Sequence, residues 1–270
     1  MPDGSFVLGV LLAVTTPLRP SAAEEAEARA AAARHGLPYV ARGRRAVAEA
    51  LRAAGADALL VLSPRGALLV AEGAEHRWSA GMGLLRAKRL GTSGGPADPA
   101  ARDPFLDAAG LREGDLVLDC TVGLGADALV AATAVGPRGR VVGLESSPAL
   151  AAWVAEGLRR LDHPAAGRIE IRAADHALAL AELPERSFDV ILFDPMFRHA
   201  QAEPAGFDVV RRLADPRPLS SAALARARRV ARRWVVVKDG APGWDLARLG
   251  LAPLPSARGA HRYYARVAAE

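Results

Sequence analysis

The chain has 270 residues, 51% hydrophobic and 24% charged, which excludes wholesale disorder and collagen-like repeats and suits one large or two small domains. Aromatic residues make up only 5%, so Ala, Leu and Val must build the core. The formal charge of +5 is uneven: residues 1–100 carry +3, residues 101–200 carry −5 and residues 201–270 carry +7. That asymmetry suggests a polyanion gripped by one part and a cationic or hydroxyl-rich ligand held by another. A coding preference for Arg would give the same balance with no meaning for function, since only Lys88 and Lys238 are lysines.

The apolar run Phe6–Val14 is too short to span a membrane, and no basic residue precedes it, so it reads as a buried strand rather than a signal-peptide core. Ser21-Ala-Ala-Glu24 has capping-box spacing and opens a helix that should end near Gly36. A second helix is expected over Arg44–Ala54. Ala58–Leu62 and Ala67–Ala71 flank Ser63-Pro-Arg-Gly66, the chemistry of a hairpin turn. After Gly81–Leu90, the stretch Gly91–Asp103 reads as a linker, giving a small N-terminal α/β domain (1–95) that helps select the substrate and a larger domain (103–270).

In the larger domain, Leu116–Cys120, Arg140–Glu145, Arg168–Ala173, Phe188–Asp194 and Trp234–Lys238 read as β-like hydrophobic runs. Segments of helical period, Ala126–Val135 and Pro148–Leu161 among them, lie between the first four. Strands apolar on both faces imply a parallel sheet covered by helices on each side, a doubly wound, Rossmann-like α/β fold.

Ligands of such sheets sit beyond the carboxyl ends of the strands, so those residues are the place to look for chemistry. The first strand ends at Asp119 and runs into Gly123 and Gly125, where the backbone can turn sharply and approach a ligand closely. Glu145 ends the second strand and suits the two hydroxyls of a ribose. Asp175 follows the third and suits an adenine amino group. Together they describe a pocket for an adenosine-bearing ligand. Gly123-x-Gly125-x-x-Ala128, with Glu145 twenty residues after Gly125, also satisfies the dinucleotide fingerprint, so an NAD-dependent oxidoreductase or a non-catalytic nucleotide binder stays open. Asp119 argues for the other cofactor: a carboxylate repels pyrophosphate and attracts the ammonium and sulfonium of S-adenosylmethionine.

The fourth strand ends in Asp194-Pro-Met-Phe197. Asp194 and the Pro195 carbonyl can accept the two N–H bonds of a nucleobase amine, favouring a pyramidal nitrogen and stabilising charge as it forms. Phe197 offers a face for a flipped base. A plain strand-to-loop turn with Phe197 in the core is the simpler alternative.

Val117-Leu-Asp-Cys-Thr-Val-Gly-Leu-Gly-Ala-Asp-Ala128, Glu145-Ser-Ser-Pro148, Asp194-Pro-Met-Phe197 and Arg233-Trp-Val-Val-Val-Lys238 resemble the RsmJ-type class I methyltransferases over about residues 80–270. Members methylate guanine N2 of small-subunit (16S) ribosomal RNA with S-adenosylmethionine. Thr121 stands at the first glycine of the general class I loop, as is typical of this family. The resemblance carries cofactor contacts to Ala126, Asp127, Glu145, Ser146, Asp175, His176 and Asp194. The first eighty residues, with Thr15-Thr16-Pro-Leu-Arg-Pro20, are more similar to a related bacterial branch. The expectation is therefore an RNA-directed methyltransferase, with a protein or small-molecule amine as the alternative substrate.

Arg226, Arg228, Arg229, Arg232 and Arg233 are assigned to one helix, either as phosphate contacts or as a solvated face. Lys238 is read as a phosphate or substrate contact. His261–Tyr264 is placed in a last strand, either as edge packing or as a base contact. Cys120 reads as a buried core residue; alone, it can form no internal disulfide and no cysteine-based zinc site, which suits the cytoplasm. The six histidines lack metal-ligand spacing, and no metal and no membrane partner are expected.

Overall fold

The computed structural model describes residues 10–90, 103–195, 209, 212–255 and 261–270. Its N-terminal part runs β1 (Leu12–Thr15), α1 (Ala22–His35), α2 (Val47–Ala54), β2 (Ala58–Ser63), β3 (Gly66–Ala71), β4 (Ala74–Arg77) and α3 (Met82–Leu90). Ser21 and Glu24 form the expected capping box, with the Glu24 N–H donating to Ser21 Oγ at 3.2 Å and the Ser21 N–H to Glu24 Oε2 at 2.8 Å. Gly36 closes α1 in the left-handed conformation (φ 62°). β1 pairs in parallel with β2, and β2-β3-β4 continue as an antiparallel meander whose first turn pairs Ser63 with Gly66.

The second part runs α4 (Pro104–Ala109), β5 (Leu116–Asp119), α5 (Ala126–Ala134), β6 (Arg140–Glu145), α6 (Pro148–Arg159), β7 (Ile169–Ala173), α7 (His176–Glu182), β8 (Phe188–Phe193), α8 (Ser221–Val230), β9 (Ala231–Gly240), α9 (Trp244–Arg248) and β10 (Arg262–Ala268). The sheet order is β10-β9-β8-β5-β6-β7. All neighbours are parallel except the edge strand β10. Alternate strand residues serve opposite layers. Val117, Val141, Val190 and Val236 pack with α5 and α6, while Leu118, Ile191, Val235 and Val237 pack with Leu180, Leu224 and Leu246 of α7, α8 and α9. This is the doubly wound α/β sandwich that continuous apolar strands require.

The first of these cores runs on into the N-terminal sheet through Leu60, Leu62, Leu69 and Trp78. Trp153 of α6 ties the two parts together by donating its Nε1–H to the Ala67 carbonyl at 3.2 Å.

Several expectations need correction. The second helix starts at Val47 rather than Arg44. Asp103, expected in the linker, is the N-cap of α4 and accepts the Phe105 N–H at 3.0 Å; residues 91–102 of that linker lie outside the described residues, as do residues 6–9 of the first strand. Arg232 and Arg233 belong to β9, because α8 ends at Val230. β4, α4 and α9 are elements that the sequence patterns do not mark. Among the described residues, no helix is long and apolar enough to cross a membrane.

Candidate active site

Strand order reverses between β5 and β8, which pair in parallel with Asp119 opposite Leu192. The crevice beyond their carboxyl ends is where a doubly wound sheet binds ligands. After β5 the chain turns through Gly123 (φ 51°) and Gly125 (φ 81°), left-handed conformations that a side chain would strain, and enters α5. Thr121 Oγ1 accepts the Asp194 N–H at 2.6 Å and fastens this loop to the end of β8.

Carboxylates line the rim. Asp119 is buried and accepts the Thr121 N–H at 3.1 Å; burial pushes its carboxyl up to about 7. Glu145, at the end of β6, is also buried and accepts the Ser147 N–H at 2.9 Å; burial again pushes it up to about 7. Ser146 is half-buried beside it. Asp175 caps α7 through the Ala177 and Leu178 N–H groups (2.7 and 3.1 Å) and also pairs with Arg217. Burial opposes ionisation of Asp175, but these partners hold its pKa below the ordinary value. The His176 ring meets Phe193 edge-on at 5.5 Å, and burial lowers its pKa.

Between β5, β8 and β9 the charges form a line. Arg86 of α3 donates to both oxygens of Asp103 (2.7 and 3.0 Å) and to Asp127 Oδ1. Lys238 Nζ donates to Asp127 Oδ2 at 2.9 Å and also to Asp194 Oδ2. The order is Asp103–Arg86–Asp127–Lys238–Asp194. Burial raises the Asp194 carboxyl and outweighs Lys238, whereas Lys238 and Arg86 overcome burial and lower that of Asp127. Tyr264 of β10 faces the same group, its phenol pushed up to about 12 by burial. Asp119, Asp127, Asp194, Lys238, Tyr264 and Phe105 enclose a cavity of about 10 Å³, room for roughly one water.

The structure thus brings Asp119, Thr121, Gly123, Gly125, Ala126, Asp127, Asp194 and Pro195 to one point of the carboxyl edge, with Glu145, Ser146, Asp175 and His176 farther along it. Phe197 and Met196 lie outside the described residues. Lys238 is corrected: it is consumed by two carboxylates and is not open to a phosphate. The arginine cluster is ion-paired, most of it at the surface. Arg228, Arg229, Arg232 and Arg233 pair with Glu270, Glu185, Asp189 and Asp115, and Arg226 donates to the Ala177 carbonyl. Arg86 and Tyr264 join the site without any motif around them to mark them in the sequence. Among the described residues, no group of acidic, His or Cys side chains could hold a metal ion.

A cationic ligand fits this rim. Two buried carboxyls held near neutrality gain ionisation from a positive neighbour, whereas a pyrophosphate would add charge of their own sign. The family described as "Putative SAM-dependent methyltransferase" matches residues 98–248. The chain is 35% identical over 232 residues to "Uncharacterized protein YpiP" of Bacillus subtilis (strain 168), covering 84% of this chain and 88% of that protein. It is 39% identical over 158 residues to "Ribosomal RNA small subunit methyltransferase J" of Laribacter hongkongensis (strain HLHK9), covering 54% of this chain and 52% of that protein. A crystal structure of a SAM-dependent methyltransferase from Neisseria gonorrhoeae shares the fold, with a TM-score of 0.58, 21% identity and 95% of each chain covered. The chain belongs to the SAM-dependent methyltransferase family and has the Rossmann-like fold of the class I enzymes, with S-adenosylmethionine as its cofactor.

Proposed function

We propose that this methyltransferase acts on an exocyclic amine of RNA, guanine N2 of 16S ribosomal RNA, from the position of Asp194 and Pro195. When bound, S-adenosylmethionine supplies an electrophilic methyl group on a sulfonium. Asp119 would hold its ammonium, Glu145 and Ser146 its ribose, and Asp175 with His176 its adenine. Lys238 holds Asp194 Oδ2, so Oδ1 and the Pro195 carbonyl are assigned to the two N–H bonds of the amine. A guanine amine is a poor nucleophile because its lone pair is delocalised into the ring. Accepting both N–H hydrogen bonds favours the pyramidal form and stabilises the positive charge developing on nitrogen as the N–CH3 bond forms and the S–CH3 bond would break; one amine proton then leaves to solvent, with no covalent enzyme intermediate. The observation that carries the reading is a carboxylate presented at the end of β8, in the crevice that suits the methyl donor.

The RNA half of the reading has two supports. One is the relative from Laribacter hongkongensis, of which the chain spans about half the length. The other is the distribution of paired arginines. The C-terminal cluster has partners within the chain, whereas Arg19, Arg44 and Arg45 are exposed and have no carboxylate partner among the described residues. The loops bearing them are joined by the Arg19 N–H to the Gly43 carbonyl at 3.0 Å. The N-terminal part (1–95) would thus grip phosphates and select the substrate.

The test is transfer of labelled methyl from S-adenosylmethionine to small ribosomal subunits, to naked 16S RNA and to a ribosome-free extract, followed by nucleoside mass spectrometry. N2-methylguanosine, formed less as salt rises, is the expected product. Label confined to protein or small amines would overturn the RNA assignment.

A further inference from the structure

Asp127 would serve the cofactor if it followed the family resemblance alone, yet both of its oxygens are already occupied. Oδ1 takes Arg86 and Oδ2 takes Lys238 at 2.9 Å. Arg86 comes from α3, and α3 is seated tightly on the start of α5: a Cβ on Gly83 would stand 2.7 Å from the Ala126 Cα. The guanidinium is fixed from its other side by Asp103, which in turn caps α4. Lys238 is 11% exposed and ends its reach on Asp194.

Two carboxylates compete for one ammonium here. If Asp127 were otherwise unpaired, its full charge would draw Lys238 away from Asp194. Arg86 meets part of that charge, so Lys238 is shared. We propose that Lys238 is a positioning residue that fixes the Asp194 carboxylate at the reacting edge, and that Arg86, preceding the methyltransferase fold proper, acts through Asp127 to hold it there. The inference rests on the reading of Asp194 as the acceptor of the amine. It gives the N-terminal part a role in the chemistry besides any grip on substrate.

The groups facing Asp194 set the expected signs. Asp119 of β5 and Asp127 of α5 favour its protonated form. Lys238 of β9 and Arg262 of β10 favour the carboxylate. Tyr264 of β10 is neutral through the working range, and Arg86 of α3 acts one step removed. Removing Lys238 must therefore raise the Asp194 pKa, and removing Arg86 must raise it by less, with the same sign.

The experiment is a carboxyl-carbon NMR titration of the full chain, with the Asp194 signal assigned by its loss in Asp194→Asn. The variants are Lys238→Met, Lys238→Arg and Arg86→Met. Lys238→Met should move the Asp194 titration up by about one to three pH units, the range for an opposite charge a few ångström away. Lys238→Arg should restore most of it, and Arg86→Met should give a smaller upward move. The double variant Lys238→Met/Arg86→Met should move the titration by less than the sum of the two single shifts, because Arg86 and Lys238 meet the same carboxylate, Asp127. The acid limb of kcat/KM should follow the same order, with S-adenosylhomocysteine binding retained in each variant. An unmoved Asp194 titration in folded Arg86→Met overturns the proposal even if Lys238→Met fails to fold, and so does loss of S-adenosylhomocysteine binding in a Lys238→Met shown to be folded. The titration needs neither substrate nor cofactor. An NMR shift in the predicted order, with no methylation of RNA by the wild-type protein, would uphold the positioning role and overturn the RNA assignment alone.

Discussion

Trp78, just beyond the N-terminal sheet, lies so close over Gly157 of α6 that a Cβ there would stand 2.0 Å from the indole Cδ2. Two effects oppose each other in Gly157→Ala. Helix propensity favours Ala by roughly 0.5–1 kcal/mol. Overpacking costs about 1–3 kcal/mol and more where the neighbour is a rigid ring that cannot step aside. The clash wins, so Gly157→Ala should lower stability in urea unfolding, whereas Gly167→Ala, with open space around it, should not.

Glu156, one residue earlier, is fully buried and accepts from Arg34 at 3.0 Å, His35 at 2.9 Å and Arg160. Burial pushes its carboxyl up, but these partners prevail and hold it at about 2. A depressed carboxyl stabilises the fold above its unfolded value, and this contribution is lost as pH falls through about 2. Glu156→Ala leaves Arg34 and Arg160 side by side with only the half-exposed Glu27 to share and should lower stability, by at most about 3 kcal/mol, in denaturant unfolding at pH 7. Glu156→Gln should also flatten the acid side of the stability profile.

Asp119 and Glu145 act in the opposite sense. Their folded values of about 7 lie above the roughly 4 of an unfolded chain. The folded state therefore holds protons that the unfolded state has released, and their contribution to cofactor-free stability falls as pH rises from about 4 to 7. A cationic donor prefers both groups ionised. Affinity for S-adenosylmethionine should climb between pH 6 and 8, more steeply than that for S-adenosylhomocysteine, whose sulfur is neutral. Calorimetry across that range checks this, and a flat profile would contradict it.

Site variants separate binding from chemistry. Glu145→Ala should weaken S-adenosylhomocysteine binding by about 10–100-fold, the loss of hydrogen bonds to a charged acceptor. Asp194→Ala should keep the thermal shift given by that ligand while abolishing turnover. Retained turnover would remove Asp194 from the reaction.

Much of this architecture is legible in residue order because β5, β6, β8 and the Trp234–Val237 stretch of β9 are largely apolar runs of strand length, as a sheet covered on both faces demands, whereas the edge strand β7 is interrupted by Glu170 and Arg172. β4 is illegible for the converse reason: Ala74-Glu-His-Arg77 is polar and largely exposed, and it is a strand only because β3 gives it a partner. Arg232 and Arg233 look helical by charge spacing, but pairing of Ala231 with Phe188 and of Trp234 with Val190 draws the backbone into the sheet. At the site, the glycines and strand-end carboxylates stand out in the sequence. The partners of Lys238 do not, because Asp127 and Asp194 lie 111 and 44 residues away and only the completed sheet brings them together. The same holds for Arg86, whose partner Asp127 is 41 residues on.

The most direct measurement is a crystal structure of the protein with S-adenosylhomocysteine. The ligand should lie across the carboxyl ends of β5 and β6, its ribose on Glu145, and the open face of its sulfur should point to Asp194 and Pro195. A ligand bound on another face, or a sulfur directed away from Asp194, would contradict the assignment of this crevice as the place of methyl transfer.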